Sequence, residues 1–310
     1  MKFAFVFPGQ GSQSVGMLSA YGDTATVRDT LMEASDALGQ DLGSMIAQGP
    51  ADLLNQTVNT QPAMLAAGVA AYRLWLSQGG PVPAMMAGHS LGEYTALVCA
   101  GALAFSDAVR LVRLRAEAMQ SAVPEGVGAM AAVLGLDDDT VRAVCAEAAE
   151  NEVLEAVNFN SPGQVVIAGN KAAVDRGCVL AKARGAKRAL PLPVSVPSHC
   201  ALMRPAAEKL FAALSTINVK APSVTVLHNA DVAGHADPAA IRDALARQLY
   251  SPVRWVETVQ AFSAQGIELV AECGPGKVLA GLNKRIVDGM LGVALTDAAA
   301  IIDTVAKIQA

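Results

Sequence analysis

Large rings and charge are both scarce in this chain of 310 residues: aromatics make up 4% and charged residues 16%. Hydrophobic residues nevertheless reach 53%, so the interior must be built mainly from Ala, Val and Leu, a composition suited to helices packed on a sheet. The five cysteines, Cys99, Cys145, Cys178, Cys200 and Cys273, are scattered and odd in number, with no Cys-x-x-Cys among them. That argues against a disulfide framework and a zinc site, and reduced thiols are expected. No apolar run approaches the ~18 residues of a membrane span. The run from Phe3 to Phe7, stopped by Pro8, is too short for a signal-peptide core. A soluble, cytoplasmic protein without a membrane partner is expected. Basic residues are outnumbered, 23 against 28 acidic, and no basic stripe interleaves with aromatics, which argues against nucleic acid as a partner.

What is present is a nucleophile-elbow pattern, Gly88-His89-Ser90-Leu91-Gly92. A serine hydroxyl is a poor nucleophile unless a base takes its proton, and the elbow presents it on a strained strand-to-helix turn. The flanks fit. Val82 to Ala87 is a short apolar run after Gly79, Gly80 and Pro81 that predicts a buried strand, and Leu91 to Ala100 predicts a helix. The alternative is an ordinary tight turn.

The length allows one large domain or a domain carrying a smaller insert. Lys2 to Phe7 predicts a strand entering the Gly9-Gln10-Gly11-Ser12 loop, the start of an α/β layer arrangement. From Gly128 the pattern changes to strand (128 to 136), helix (137 to 150), strand (153 to 159), turn (160 to 163), strand (164 to 168), helix (171 to 183, capped by Asn170) and strand (187 to 194). The order βαββαβ predicts a ferredoxin-like insert over 125–196, within a large subdomain formed by 1–124 and 197–310. In the second part, a helix is expected from Ala201 to Leu214 and strands at Val224 to Leu227 and Ile267 to Glu272. Gly274-Pro275-Gly276-Lys277 lacks the spacing of a phosphate loop and predicts a helix-capping turn.

Only four histidines can serve as a general base. His89 adjoins the serine, and its expected role is local hydrogen bonding that shapes the elbow. His228 and His235 read equally as surface or strand-end residues. His199, after Ser195-Val196-Pro197-Ser198 at the seam of the two subdomains, occupies a loop position of the kind that presents catalytic side chains, or else is a satisfied structural histidine. Arg115 is the second signal. In a helix capped by Ser106-Asp107 and running to about Ala122, it falls among Leu111, Val112, Ala118 and Met119 on the apolar stripe, with no carboxylate three or four residues away. It is a distant salt-bridge partner, a snorkelling side chain, or a fork that captures a substrate carboxylate.

Together, Phe7-Pro8-Gly9-Gln10-Gly11-Ser12-Gln13, Gly88-His89-Ser90-Leu91-Gly92-Glu93, Arg115, Asn158-Phe159-Asn160-Ser161-Pro162-Gly163-Gln164, Pro197-Ser198-His199, Gln248-Leu249-Tyr250-Ser251-Pro252 and Glu272-Cys273-Gly274-Pro275-Gly276 resemble the malonyl-CoA:acyl-carrier-protein transacylases, over essentially the whole chain. The resemblance implies an α/β-hydrolase-like large subdomain with a ferredoxin-like insert. It also implies ping-pong transfer of malonyl from malonyl-CoA to a carrier-protein phosphopantetheine through an ester on Ser90. His199 would be the base and acid, the Gln10 and Leu91 amides the oxyanion hole, Arg115 the malonyl receptor, and the Gln248 carbonyl the group orienting His199. Neither metal nor resident cofactor is implied, and a monomer is expected. Leu91 fits a malonyl-selective pattern, but Ser198 is smaller than the residue that related polyketide enzymes use to exclude a methyl branch. On this reading fatty-acid synthesis, polyketide synthesis and a malonate decarboxylase are equal alternatives for the acceptor carrier protein. The rivals are a serine hydrolase or thioesterase, and a non-catalytic acyl-CoA-binding protein. Two basic groups, Lys182, Arg184, Lys187 and Arg188, and Lys277, Lys284 and Arg285, are candidate docking sites for an acidic carrier protein or for CoA phosphates.

Overall fold

The computed structural model describes residues 1–194 and 196–310; Ser195, in the segment leading to His199, lies outside the described residues. Two sheets organise the chain. Strands β1 (Phe3–Phe7), β2 (Met85–Gly88), β7 (Thr225–Leu227), β8 (Leu269–Cys273) and β9 (Leu291–Leu295) form a parallel sheet in the order β7-β2-β1-β8-β9. Strands β3 (Gly128–Leu134), β4 (Leu154–Ser161), β5 (Gln164–Asn170) and β6 (Arg188–Pro191) form an antiparallel sheet in the order β4-β5-β3-β6. This is the expected α/β fold, with the βαββαβ unit in its ferredoxin-like strand order.

The sequence of β1, Phe-Ala-Phe-Val-Phe, is buried throughout because helices cover both faces of a parallel sheet. Phe3, Phe5 and Phe7 point to one side, where Phe5 meets Tyr72 and Trp75 edge-on at 5.8 and 5.1 Å. Ala4 and Val6 point to the other, against Trp255, Val259 and Phe262. The antiparallel sheet uses its alternation differently. One face packs Val133, Val165 and Ile167 under the helices Asp138–Ala149 and Lys171–Ala183. The opposite face packs Met130, Val157, Val166 and Ala168 on Cys200, next to His199. Backbone bonds from Phe159 N to Val253 O (3.0 Å) and from Val253 N to Val157 O (2.8 Å) join β4 to the large subdomain. The insert is therefore seated beside the serine.

Several local expectations change. The strand before the elbow is only Met85–Gly88, because Pro81 and Pro83 lack the N–H a ladder needs and Val82 is exposed. The helix carrying Arg115 spans Phe105–Ala122 with Ala104 at its N-cap, so Ser106 and Asp107 lie in its first turn, and Asp107 pairs with Arg110 instead of capping. Asn170 stands at the N-cap of Lys171–Ala183, but its side chain accepts the Val153 N–H at 2.8 Å and ties β4 to β5. Residues 201–203 form a 3-10 turn before the helix Arg204–Leu214, which has Pro205 in its first turn. Among the described residues no helix is long and apolar enough to cross a membrane.

Candidate active site

Ser90 follows β2 and precedes the helix Gly92–Cys99, and its φ of 50° is the left-handed conformation of a strained elbow. The flanking glycines are a matter of space. A Cβ on Gly88 would stand 1.8 Å from the carbonyl carbon of Gly92, and one on Gly92 would stand 2.0 Å from Phe7 O. Any side chain at either position would drive helix and strand apart. His199 also has a positive φ, 68°.

The structure brings the two together. His199 Nε2 lies 2.8 Å from Ser90 Oγ, and His199 Nδ1 lies 2.8 Å from the backbone carbonyl oxygen of Gln248. A carbonyl accepts only from an N–H, so this contact fixes the proton on Nδ1 and leaves Nε2 free to accept the serine proton. Burial pulls the His199 pKa down to about 3 and the neighbouring Arg115 charge adds to that, with the Gln248 carbonyl opposing. The imidazole is thus neutral.

Arg115 is fully buried and, among the described residues, has no carboxylate partner. One terminal nitrogen donates to Gln61 Oε1 at 2.8 Å; the other donates to Gln248 Oε1 at 3.0 Å and to Ser90 Oγ at 3.3 Å. Its carbon sits 5.4 Å from the Tyr94 ring centre, and its Nε has no partner among the described residues. Burial lowers its pKa from the ordinary value, with Tyr94 and Glu93 opposing. A guanidinium stays charged even so. Of the three readings open from the sequence, neither the distant salt bridge nor the snorkelling side chain is present.

Ser90, His199 and Arg115 line a cavity of about 160 Å³ together with Gln10, Leu91, Gln61, Met119 and Ser198. Among the described residues, neither the Gln10 nor the Leu91 backbone N–H meets an acceptor. The Gln10 side chain is held by Thr57, whose hydroxyl donates to Oε1 at 2.9 Å. A second cavity of about 270 Å³ between the two sheets shares Gln10, His89, Asn158 and Leu192 with the first.

Of the expectations about nearby residues, that for His89 is corrected, that for His228 narrows to its strand-end alternative, and the turn at Gly274 is the one expected. His89 does not shape the elbow through its ring; its Nε2 reaches Asn160 on β4 at 2.8 Å and clips the insert to the large subdomain. His228 is no surface residue. It is buried, with Nδ1 2.7 Å from Glu93 Oε1, while Glu93 Oε2 accepts the Asn229 N–H at 2.8 Å. Asn229 then clamps the elbow, accepting the Ser90 N–H at 2.7 Å and donating to Gly88 O at 2.6 Å. The Gly274-Pro275-Gly276 turn leads into the helix Val278–Asn283, whose first amides are met by the buried Glu272 carboxylate, at 2.8 Å for Ala280 N. That anion already fills the place a phosphate would take. Glu93, Asn229, Gln61 and the Gln248 side chain were not given roles from the sequence. The available signals were an acid in the first turn of an apolar helix and a glutamine opening the run Pro62-Ala63-Met64-Leu65. Among the described residues no group of three or more His, Cys, Asp or Glu is placed to hold a metal ion.

The acyl transferase domain family matches residues 4–301, so the chain is an acyltransferase. The malonyl CoA-acyl carrier protein transacylase of Salmonella typhimurium is 60% identical over 301 residues, 97% of each chain, and that of Bacillus subtilis is 44% identical over 96% of this chain and 94% of its own. The solved acyl-carrier-protein S-malonyltransferase of Burkholderia pseudomallei superposes with a TM-score of 0.97 at 63% identity, over 99% of this chain and all of its own. A malonyl-transacylase solved in complex with a type II PKS acyl-carrier protein gives 0.97 at 53% identity, over 99% and 100%. The chain belongs to the malonyl CoA-acyl carrier protein transacylase family.

Proposed function

We propose that this acyltransferase moves malonyl from malonyl-CoA to the phosphopantetheine thiol of an acyl carrier protein by a ping-pong route through a malonyl ester on Ser90. His199 Nε2 takes the Ser90 proton as Oγ attacks the thioester carbonyl, and the Gln10 and Leu91 amides hold the oxyanion. One such donor is typically worth roughly 3 kcal/mol in the transition state. Collapse breaks the C–S bond, and His199 returns the proton to the departing CoA thiolate. In the second half the carrier thiol loses its proton to His199, attacks the ester carbonyl and releases the Ser90 hydroxyl. The backbone carbonyl of Gln248 holds the imidazole in place of a carboxylate, making a dyad. No cofactor takes part in these steps.

The observation that carries the reading is Arg115: a buried guanidinium, without a carboxylate, whose NH2 reaches within 3.3 Å of Ser90 Oγ. A fork so placed suits an acyl group ending in a free carboxylate. Lys277, Lys284 and Arg285 are exposed on and beside the helix whose Val278, Leu279 and Leu282 line the second cavity, which supports docking of an acidic carrier protein at that rim. For Arg115→Ala, the specificity constant for malonyl-CoA falls by about tenfold or more while acetyl-CoA gains relative to it. Unaltered malonyl kinetics would reject the role.

A further inference from the structure

One neutral side chain lies between two buried ionic groups beneath Ser90. Gln248 is fully buried; its Oε1 accepts from Arg115 at 3.0 Å, while its Nε2 donates to Glu93 Oε2 at 3.0 Å and to Ser90 O at 2.9 Å. Glu93 is fully buried as well, and its two oxygens are held by His228 Nδ1 and the Asn229 N–H. A cation and a carboxylate removed from water thus stand on either side of a single amide. Opposite charges attract strongly in such surroundings, and direct pairing of guanidinium with carboxylate is the tightest arrangement open to them. They do not pair. Arg115 is aligned instead by the amide oxygens of Gln61 and Gln248, which orient the fork without neutralising it.

We propose that the Gln248 side chain determines acyl specificity by holding Glu93 away from Arg115, so that the fork is left for the substrate's carboxylate. The proposal rests on Arg115 being the malonyl receptor. It gives Gln248 two separable roles, because the bond to His199 comes from its backbone carbonyl and survives replacement of the side chain. Without the amide, Arg115 turns onto Glu93, and a free carboxylate arriving with the acyl group finds its receptor taken. An acyl group with no carboxylate loses less.

The experiment measures acylation of Ser90 by malonyl-CoA and by acetyl-CoA in Gln248→Leu, Gln248→Glu, Arg115→Ala and the double variant Gln248→Leu with Glu93→Gln. In Gln248→Leu the malonyl-to-acetyl ratio of kcat/KM falls about tenfold or more, mainly through the malonyl KM. Adding Glu93→Gln removes the competing carboxylate and restores the ratio to within about threefold of the parent, a coupling that independent damage would not produce. Gln248→Glu sets a carboxylate directly on the fork and lowers the ratio without Glu93 being touched, which keeps the test available if the double variant fails to fold. Equal losses on both acyl-CoAs, or an unchanged ratio in Gln248→Leu and Gln248→Glu, would overturn the proposal. An unchanged ratio in Arg115→Ala would instead overturn the reading of Arg115 on which it rests.

Discussion

Around β3, β4 and β5 the buried core is mainly Val, Ala, Leu and Ile with Phe159 and two cysteines, and charged groups such as Arg176 and Arg184 stand at the surface, paired with Glu152 and Glu147. Beneath Ser90 the large subdomain buries a carboxylate, a guanidinium, two imidazoles and three side-chain amides. An apolar core gains stability simply by leaving water. A buried polar group costs free energy unless every partner is supplied, and low surrounding polarity then strengthens each contact. The insert therefore spends its sequence on stability and on walling the cavity. The seat of the serine spends its sequence on charge placement, and the two regions should fail in different ways when cut.

The sharpest break is chemical. His199→Ala removes the proposed base and is expected to lower acylation by about 10² to 10⁴-fold. A thermal melt near that of the parent would show that the loss is confined to chemistry, whereas a collapsed melt would place His199 among the structural residues. In the insert the effect should invert. Ile167 is fully buried between the sheet and its helices, and Ile167→Ala is expected to cost about 2–5 kcal/mol of stability by denaturant titration. The malonyl-to-acetyl ratio of the folded fraction should not move, and a changed ratio would mean that the insert core shapes the acyl site directly.

The smaller effect is a shift in pH. His199 titrates near 3 when folded against an ordinary value of 6.5, so between these values the unfolded chain binds a proton that the native chain refuses. Stability from this group is complete above about pH 6.5 and is lost as the pH falls toward 3. Activity follows the native value: kcat/KM for malonyl-CoA should hold well below pH 6.5 before its acidic limb. Removing the Arg115 charge, the second cause of the shift after burial, should move that limb upward. A limb already at the ordinary histidine value in the parent would contradict the buried, neutral base.

The difference between the regions also explains how far the sequence could be read. In the insert, alternating apolar residues and an acidic helix start at Asp137 carry the local signal, and the βαββαβ order follows from it. At the elbow, Gly88 and Gly92 announce the turn because only glycine fits where strand and helix touch. Arg115 stood out as a charge on an apolar stripe. The network behind it did not, since Glu93, Asn229 and Gln248 are joined across 136 and 155 residues by contacts that no local pattern encodes. Asn170 and Asp107 show the same limit at small scale: each is a common capping residue, but Val153, just before the neighbouring strand β4, claimed the Asn170 side chain and Arg110, one turn along the same helix, claimed that of Asp107.

The central claim is that Ser90 carries the malonyl unit between two thiols. Intact-mass measurement after brief exposure to malonyl-CoA, without carrier protein, tests it most directly. The parent should gain the mass of one malonyl group, hold it until a carrier thiol is added, and show none of it in Ser90→Ala. An adduct that persists in Ser90→Ala, or a parent that turns over malonyl-CoA to free malonate without ever holding the group, would contradict the account.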